Sequence, residues 1–170
     1  MSDQRLWAPW RMRYVQGERK DEGCIFCLAA EAGDDEDRLV LHRGERCLVM
    51  LNAFPYNSGH VMVFPQRHVP SIESLDDAEL LELMTLTRRA LRAVRDAYGP
   101  DGFNLGVNEG EIAGAGFAGH VHLHVVPRWA ADSNFMAVTA DTRVLPQSLE
   151  DSYAQLRARF AGARASGENA

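Results

Sequence analysis

The stretch at residues 120–126 reads His-Val-His-Leu-His-Val-Val and is the most informative part of the sequence. Successive side chains of a β-strand point to opposite faces of the sheet. The alternation therefore predicts a strand with His120, His122 and His124 on one face and apolar side chains on the other. The apolar face can pack on a core while the three imidazoles line a site. Half of the chain's six histidines lie within the five positions 120–124, a concentration that a solvated surface does not need.

Three interpretations of this histidine face compete. A chance run on an exposed strand is disfavoured by the regular alternation and by the glycine-rich loop that precedes it, residues 109–119. Three imidazoles on alternate strand positions can also converge on a catalytic zinc ion. In the third interpretation, a neutral imidazole attacks an α-phosphorus and forms a nucleotidyl-imidazole, which a second nucleophile then releases. Neighbouring imidazoles and backbone amides would stabilise the developing charge.

The rest of the chain predicts an antiparallel α+β fold around this strand. Short apolar and β-branched runs bounded by proline and glycine are typical of strands, and we place them at residues 38–42, 46–51, 59–65, 103–108 and 119–127. Helices are predicted over 74–98, where Ser74 is the expected N-cap and Gly99-Pro100 ends the helix, and over 147–164. The short gaps between strands favour an antiparallel sheet of about five strands with one long helix and a C-terminal helix.

Composition limits the functions that the chain can have. Its 170 residues carry a formal net charge of −6, which argues against a nucleic-acid-binding protein because such proteins present a basic footprint. No apolar run approaches the length of a membrane span, and the first residues contain no apolar segment typical of a secretory signal. We therefore expect a cytoplasmic protein without a membrane or nucleic-acid partner.

The motif Cys24-x-x-Cys27 is ambiguous when taken alone. A thioredoxin-like redox motif requires a preceding strand and a βαβ context, and the sequence predicts neither. A structural zinc site requires two further ligands. Two buried free thiols are the remaining interpretation. Cys47 lies in an apolar run and is expected to be a small core residue.

These residues together resemble the histidine triad (HIT) family of nucleotide hydrolases and transferases. The alternating segment at 120–126 is similar to the family signature. The upstream block from Asn52 to His68, which includes Gly59-His60, matches a second family block in order and spacing. The resemblance covers about residues 24–136. We therefore divide the chain into an N-terminal arm over 1–23, a HIT domain over 24–146, and a C-terminal helix and tail over 147–170. The arm is expected to dock on the domain because its two tryptophans would be costly left in water.

The resemblance implies a role for each matching residue. His122 would be the nucleophile, His124 would contact the phosphate and leaving group, and His60 would help to orient His122. Asn52 would hold the ribose of a nucleotide substrate, and Asn108 would contact its phosphates. Family members are usually homodimers with paired sheets, and the helix over 74–98 would contribute to that interface.

The resemblance also implies a structural zinc ion. In the subgroup with an N-terminal Cys-x-x-Cys, zinc is held by those cysteines, by a histidine that ends the second block, and by the first histidine of the triad. Here these positions are Cys24, Cys27, His68 and His120. This assignment would leave His122 and His124 for chemistry, with magnesium accompanying only the substrate.

The loop before the triad departs from the family pattern. Many relatives carry Gln, Ser or Thr there, whereas residues 114–119 read Gly-Ala-Gly-Phe-Ala-Gly, and the stretch from Asn108 to His120 is one residue longer. The backbone amides of Gly116 or Phe117 are the expected substitutes for the missing side chain.

Tryptophans at both ends of the domain favour one branch of the family. The N-terminal segment around Trp7 and Trp10, and Arg128-Trp129 with residues 132–136, are similar to the diadenosine polyphosphate-cleaving branch. The expected activity is cleavage of diadenosine polyphosphates at the α-phosphate, with water or phosphate as the acceptor. Hydrolysis of nucleoside phosphoramidates, or a zinc-stabilised nucleotide sensor with little turnover, are the alternatives. Because histidine ordinarily titrates near pH 6.5, activity is expected to fall below about pH 6.

Overall fold

The computed structural model of the protein describes residues 23–31, 33–130, 132 and 147–162. These residues form five strands and three α-helices, which confirms the predicted α+β class. The strands are β1 (Val40–Arg43), β2 (Cys47–Leu51), β3 (Val61–Pro65), β4 (Gly102–Val107) and β5 (Leu123–Arg128). The helices are α1 (Ile25–Ala30), α2 (Asp77–Tyr98) and α3 (Leu149–Gly162). None of the described helices is long and apolar enough to cross a membrane.

The strands form one sheet in the order β1-β2-β3-β5-β4, with antiparallel pairing throughout. β2 and β3 lie inside the sheet and are buried along their whole length. β3 pairs with β5 through Val61 and Val125, and β5 pairs with β4 through Leu123 and Val107. β5 therefore lies between β3 and the edge strand β4; it carries His124, whereas His120 and His122 lie in the segment just before it.

Strand alternation divides the apolar side chains between the two faces of the sheet. On one face, Val49, Val63 and Val125 join a core that α2 and α3 cover. On the opposite face, Met50 and Phe64 pack with the side chains of α1 in a second, smaller cluster. The apolar positions 121, 123 and 125 all belong to the helix-covered core, as the sequence predicts.

The long helix begins later than predicted. Its N-cap is Asp76, whose side chain accepts a hydrogen bond from the N–H of Glu79, while the Glu79 carboxylate accepts one from the N–H of Asp76. This reciprocal pair is a capping box. The predicted cap, Ser74, instead ends a short 3-10 turn, because Leu75 is extended and separates the turn from α2. Gly99 ends α2 in the left-handed conformation at φ 56°.

The strand bounds also differ from the prediction, most of all at β5. The predicted strand over 119–127 begins only at Leu123, because the N–H of Val121 bonds to the carbonyl of Val69 outside the sheet. The strand predicted over 59–65 begins at Val61, and those predicted over 38–42, 46–51 and 103–108 shift by one or two residues.

The helix predicted over 147–164 spans Leu149–Gly162 in the structure, and the last two residues of the predicted range lie outside the described part of the chain. The predicted arm over 1–23, apart from Gly23, lies outside it too, as do residues 133–136 of the branch signature. The short helix α1 was not predicted. It places Cys24 at its N-cap and Cys27 in its first turn.

Candidate active site and metal centre

The three predicted catalytic histidines lie together on the sheet face opposite α2. The rings of His122 and His124 have centroids 4.8 Å apart, and those of His60 and His124 are 5.2 Å apart. β3 and β5 produce this grouping, since His60 immediately precedes β3 and the two strands pair directly. His60 and His122 are buried.

A hydrogen bond to its own main chain orients His122. Nδ1 of His122 lies 2.9 Å from the carbonyl oxygen of His120, so this nitrogen carries the proton and donates it. A neutral imidazole has only one N–H, and Nε2 of His122 therefore keeps its lone pair. Burial lowers the pKa of His122, which favours this neutral form at pH 7.

A second set of hydrogen bonds orients the other two rings. The backbone N–H of Tyr56 donates to Nδ1 of His60 at 3.1 Å, so the proton of His60 resides on Nε2. The Nε2–H of His60 donates to Nδ1 of His124 at 3.0 Å, so the proton of His124 resides on its own Nε2. Tyr56 also stacks on His60, with centroids 5.0 Å apart and planes 16° apart. Burial, reinforced by the neighbouring imidazoles, lowers the pKa of His60 to about 3 and that of His124 to about 4.

The predicted nucleotide contacts lie around this group. Asn52 Nδ2 is 3.4 Å from His60 Nδ1, and its Oδ1 accepts the N–H of Phe54. Asn108 follows β4, and continuing the pairing of Val107 with Leu123 by one residue places Asn108 opposite His122. Gly116 is exposed in the loop before the triad. The Phe117 ring packs edge-on against Phe26 of α1, with centroids 5.9 Å apart.

The four predicted zinc ligands converge at the other end of the histidine segment. One ligand atom from each of Cys24, Cys27, His68 and His120 lies within 4.8 Å of the others. Cys24 Sγ and Cys27 Sγ are 3.4 Å and 3.7 Å from His120 Nδ1, and Cys27 Sγ is 3.2 Å from His68 Nδ1. Within the described ranges, this is the one Cys, His, Asp and Glu cluster with such geometry.

The geometry fits a tetrahedral zinc ion. With Zn–S near 2.3 Å and Zn–N near 2.0 Å, a tetrahedral angle separates sulfur and nitrogen ligands by about 3.5 Å. The three observed distances lie within a few tenths of an ångström of this value. Nε2 of His120 donates to the carbonyl of Pro65 at 2.8 Å, which fixes the tautomer and leaves Nδ1 free to bind metal. Two thiols and two imidazoles form the closed ligand set of a structural site.

His120 joins the metal centre to the candidate nucleophile. Its side chain belongs to the metal cluster, and its carbonyl holds Nδ1 of His122. Phe26 packs between the two, with ring centroids 5.1 Å from His120 and 4.6 Å from His122. The helix that carries both cysteines therefore also contacts the candidate nucleophile.

Sequence reasoning missed several residues that support the site. Arg67 donates two hydrogen bonds to the buried carboxylate of Glu79 and fixes the chain next to His68. Asp132 forms an ion pair with Arg128, and the i, i+4 spacing of opposite charges was the available signal. Arg128 also donates to Asn104, so its guanidinium is engaged within the protein. Tyr56 could not be identified from the sequence as the donor to His60 Nδ1, because the donor is its backbone N–H and every residue except proline has one.

The fold and the site together are those of a histidine triad protein. The family model described as HIT domain matches residues 34–131, more than half of the chain. The chain belongs to the HIT family.

The relatives of the chain include named enzymes. It is 40% identical over 165 residues to a Mycobacterium tuberculosis protein named AP-4-A phosphorylase, and the match covers 93% of this chain and 85% of the relative. It is 34% identical over 93 residues to the asymmetrical bis(5'-nucleosyl)-tetraphosphatase of Schizosaccharomyces pombe, covering 55% of this chain and 50% of that protein. A zinc-bound histidine triad family protein from Mycobacterium smegmatis superposes with a TM-score of 0.66 at 26% identity, covering 86% of this chain and 99% of that one.

Proposed function

We propose that the protein cleaves diadenosine polyphosphates, such as diadenosine tetraphosphate, at an α-phosphate through a nucleotidyl-His122 intermediate, with inorganic phosphate as the acceptor. The single observation that carries the mechanism is the hydrogen bond from His122 Nδ1 to the His120 carbonyl at 2.9 Å. It leaves the Nε2 lone pair available for attack on phosphorus. The names of the two relatives support the substrate class.

The first step forms one bond and breaks one. Nε2 of His122 bonds to the α-phosphorus, and the bond from that phosphorus to the bridging oxygen of the polyphosphate breaks. From diadenosine tetraphosphate this gives adenylyl-His122 and ATP. The Nε2–H of His124, directed by His60 behind it, is the proposed donor to the departing oxygen or to an equatorial phosphate oxygen.

The second step releases the nucleotide. A phosphate oxygen bonds to the α-phosphorus, the P–N bond to His122 breaks, and ADP leaves with the imidazole restored. Water in place of phosphate would give AMP by the same route. We favour phosphate because the phosphorylase relative matches a larger share of both chains at higher identity than the tetraphosphatase does.

The binding roles rest on position. We assign Asn52, adjacent to His60, to the ribose, and Asn108, opposite His122 in the extended register, to the phosphates. The backbone amides of Gly116 and Phe117 are the proposed donors near the leaving group. Magnesium would accompany the polyphosphate, since phosphate oxygens are ligands that it prefers.

The metal centre has a proposed structural role. When bound by Cys24, Cys27, His68 and His120, zinc supplies a cross-link between α1 and the segment that leads into β5. The four ligand residues would then hold the His120 carbonyl at the position where it accepts the hydrogen bond from His122 Nδ1.

Product analysis tests the proposed activity. Diadenosine tetraphosphate is incubated with the protein, with and without inorganic phosphate, and the products are identified by mass spectrometry. ATP and ADP, formed only with phosphate, are expected. AMP and ATP without phosphate would make the acceptor water. Intact substrate in both samples would overturn the proposal and lead to assays of phosphoramidates or of binding alone.

We also propose that the protein is a homodimer. Leu81 and Met84 on α2 are 71% and 53% exposed, and Leu105 on the edge strand β4 is 48% exposed. Exposed apolar side chains on a helix and on an edge strand are typical of interfaces. Light scattering after size exclusion is expected to give twice the 18.9 kDa chain mass, and the double variant Leu81→Glu, Met84→Glu is expected to give the monomer. A monomeric unmodified chain would contradict the proposal.

A further inference from the structure

The side chain of Asn57 bridges the two segments that carry the active-site histidines. Its Nδ2 donates to the carbonyl of Pro127 at 2.8 Å and to Oδ2 of Asp132 at 3.0 Å. We call these two bonds the Asn57 bridge. Asn57 lies three residues before His60, and Pro127 lies three residues after His124. The bridge and the 3.0 Å His60–His124 hydrogen bond therefore join the same two segments, three residues apart on each.

The backbone pairing with β5 does not reach this part of the chain, whose own backbone hydrogen bonds are local: the N–H of Asn52 donates to the carbonyl of His60, and the N–H of His60 donates to the carbonyl of Asn57. The pairing of β3 with β5 begins at Val61 and Val125, so residues 52–60 precede the strand. Pro127 has no N–H and can offer only its carbonyl. The Asn57 amide uses that carbonyl and extends the contact between the two segments past the last backbone pair.

The far end of the bridge is itself held firmly. Arg128 donates to the Asp132 carboxylate through Nε and Nη2, and the N–H of Trp129 donates to Oδ2 at 3.3 Å. Arg128 also donates to Asn104 Oδ1 on β4 at 2.9 Å. The carboxylate that receives the Asn57 amide is therefore held by three hydrogen bonds from Arg128 and Trp129 at the end of β5, and none of these involves Asn104.

The bridge lies next to the group that sets the tautomer of His60. The backbone N–H of Tyr56 donates to His60 Nδ1, and Tyr56 is the residue directly before Asn57. A shift of the loop at Asn57 would move that N–H and weaken its 3.1 Å bond. His60 could then take the other tautomer, with the proton on Nδ1, and would no longer donate to His124.

We propose that Asn57 is a positioning residue that, through Pro127 and Asp132, keeps His60 in the tautomer that orients His124. The proposal rests on the proposed function for its effect on turnover. Its effect on the imidazoles is independent of that function.

Three variants test the bridge. Asn57→Ala removes both bonds, and Asn57→Leu removes them while retaining a side chain of similar volume. Asn104→Ala is the matched control, because it removes a neighbouring hydrogen bond to Arg128 and leaves the bridge intact. Turnover of diadenosine tetraphosphate with phosphate, the melting temperature, and ¹⁵N–¹H spectra of the imidazoles are measured for each.

Both Asn57 variants are expected to lower kcat by roughly 10- to 100-fold with KM changed less than about threefold, since a displacement of about 1 Å can cost this much. The His60 spectrum is expected to change from a single Nε2–H tautomer to a mixture. Asn104→Ala is expected to match the unmodified protein in both respects. Recovery of turnover in Asn57→Leu, or an unchanged His60 tautomer in Asn57→Ala, would overturn the proposal. If the unmodified protein cleaves nothing, the proposed function fails, and the tautomer of His60 in these variants still decides the role of Asn57.

Discussion

At the residue scale, a set of directed hydrogen bonds determines which nitrogen of each imidazole can react. The His120 carbonyl directs the lone pair of His122 to Nε2, and the Tyr56 N–H directs the proton of His60 toward His124. Each ring is thereby restricted to one tautomer before a substrate arrives. This preorganisation is the form of transition-state stabilisation that costs no rearrangement during the reaction.

Replacing His122 with Asn is expected to abolish cleavage while the protein stays folded. Asn has no ring nitrogen to attack phosphorus, but its amide N–H can still donate to the His120 carbonyl. Removal of a nucleophile from a group that acts as a unit costs several orders of magnitude, so turnover should fall by at least about 1,000-fold. Stopped-time assays and the melting temperature measure the two effects.

A labelling experiment provides the control for His122→Asn. With substrate labelled at the α-phosphorus, the unmodified protein should retain an acid-labile label when phosphate is omitted, and the variant should retain none. Residual turnover above about a tenth in the variant would contradict the role of His122.

The pH dependence of turnover is expected to reflect the burial of His124. His124 faces His60 and His122, and burial followed by the charge of His122 lowers its pKa to about 4. The neutral His124 ring therefore persists well below pH 6.5, and burial also lowers the pKa of the proposed nucleophile His122, so kcat is expected to decline only at a pH clearly below 6.5. The pH at which turnover declines is therefore expected to be lower than the sequence alone predicts. A decline in kcat centred near pH 6.5 would contradict the structure.

At the element scale, apolar and β-branched runs, with the alternation at 120–126, predicted the strands well and predicted their ends poorly. Positions 121, 123 and 125 occupy the helix-covered core because alternate side chains of an extended segment lie on the same face of the sheet, and the histidines lie on the other face. The start of β5 depends instead on the bond from Val121 to Val69, a tertiary contact that no local pattern encodes. α1 was missed because a six-residue helix has little intrinsic stability, and packing of Phe26 and Ala29 stabilises it.

The cap of α2 offers a direct comparison between the sequence prediction and the structure. Asp76→Ala is expected to lower the free energy of unfolding by about 1 kcal/mol, because it removes the acceptor for the Glu79 N–H. Ser74→Ala, at the cap predicted from sequence, is expected to change it by less than about 0.5 kcal/mol because that residue is exposed outside the helix. Urea denaturation of the two variants measures both values. An equal or larger loss in Ser74→Ala would restore the sequence prediction.

Zinc content and stability are expected to fall together when α1 loses a cysteine. Cys24→Ser removes one ligand of the Cys₂His₂ cluster, so the protein should lose its metal and melt at a lower temperature. Cys47→Ala is the matched control, since its buried thiol lies in the helix-covered core, away from the cluster. Elemental analysis of protein purified without chelator should give about one zinc per chain for the control and little for Cys24→Ser. Equal zinc in both variants, or none in the unmodified protein, would contradict the metal centre.

At the scale of the whole molecule, the residues proposed for the site could be selected from the sequence because they are close together in the chain or chemically distinctive. The triad, Asn52 with His60, and the cysteine pair each carry a recognisable pattern. Contacts that close the site over long separations, such as Asn57 with Asp132 and Arg67 with Glu79, involve ordinary polar residues with no pattern of their own. Only the folded sheet brings them together.

The burial of neutral histidines predicts how the stability of the whole protein changes with acid. Burial, and secondarily His124 and His122, lowers the pKa of His60 to about 3 from an ordinary value of 6.5. Between these pH values the unfolded chain binds a proton at His60 that the folded chain does not, so the free energy of unfolding falls as the pH falls. Each such proton costs at most about 1.4 kcal/mol per pH unit. Glu79 and Asp132, whose pKa values are lowered to about 2 chiefly by hydrogen bonds from Arg67 and Arg128, add a further loss only below about pH 4.5.

The variant His60→Asn separates this contribution from the loss of metal in acid, because both proteins keep the same four metal-ligand residues. Urea denaturation at intervals between pH 7.5 and 4.5 is expected to show a steep decline in the unmodified protein and a shallower one in the variant. The variant is expected to be the less stable protein at pH 7.5, where it lacks the bond to His124, and the difference should narrow toward pH 4.5. Parallel curves would mean that His60 is protonated to the same extent in the folded and unfolded states, which its burial between Tyr56 and His124 argues against.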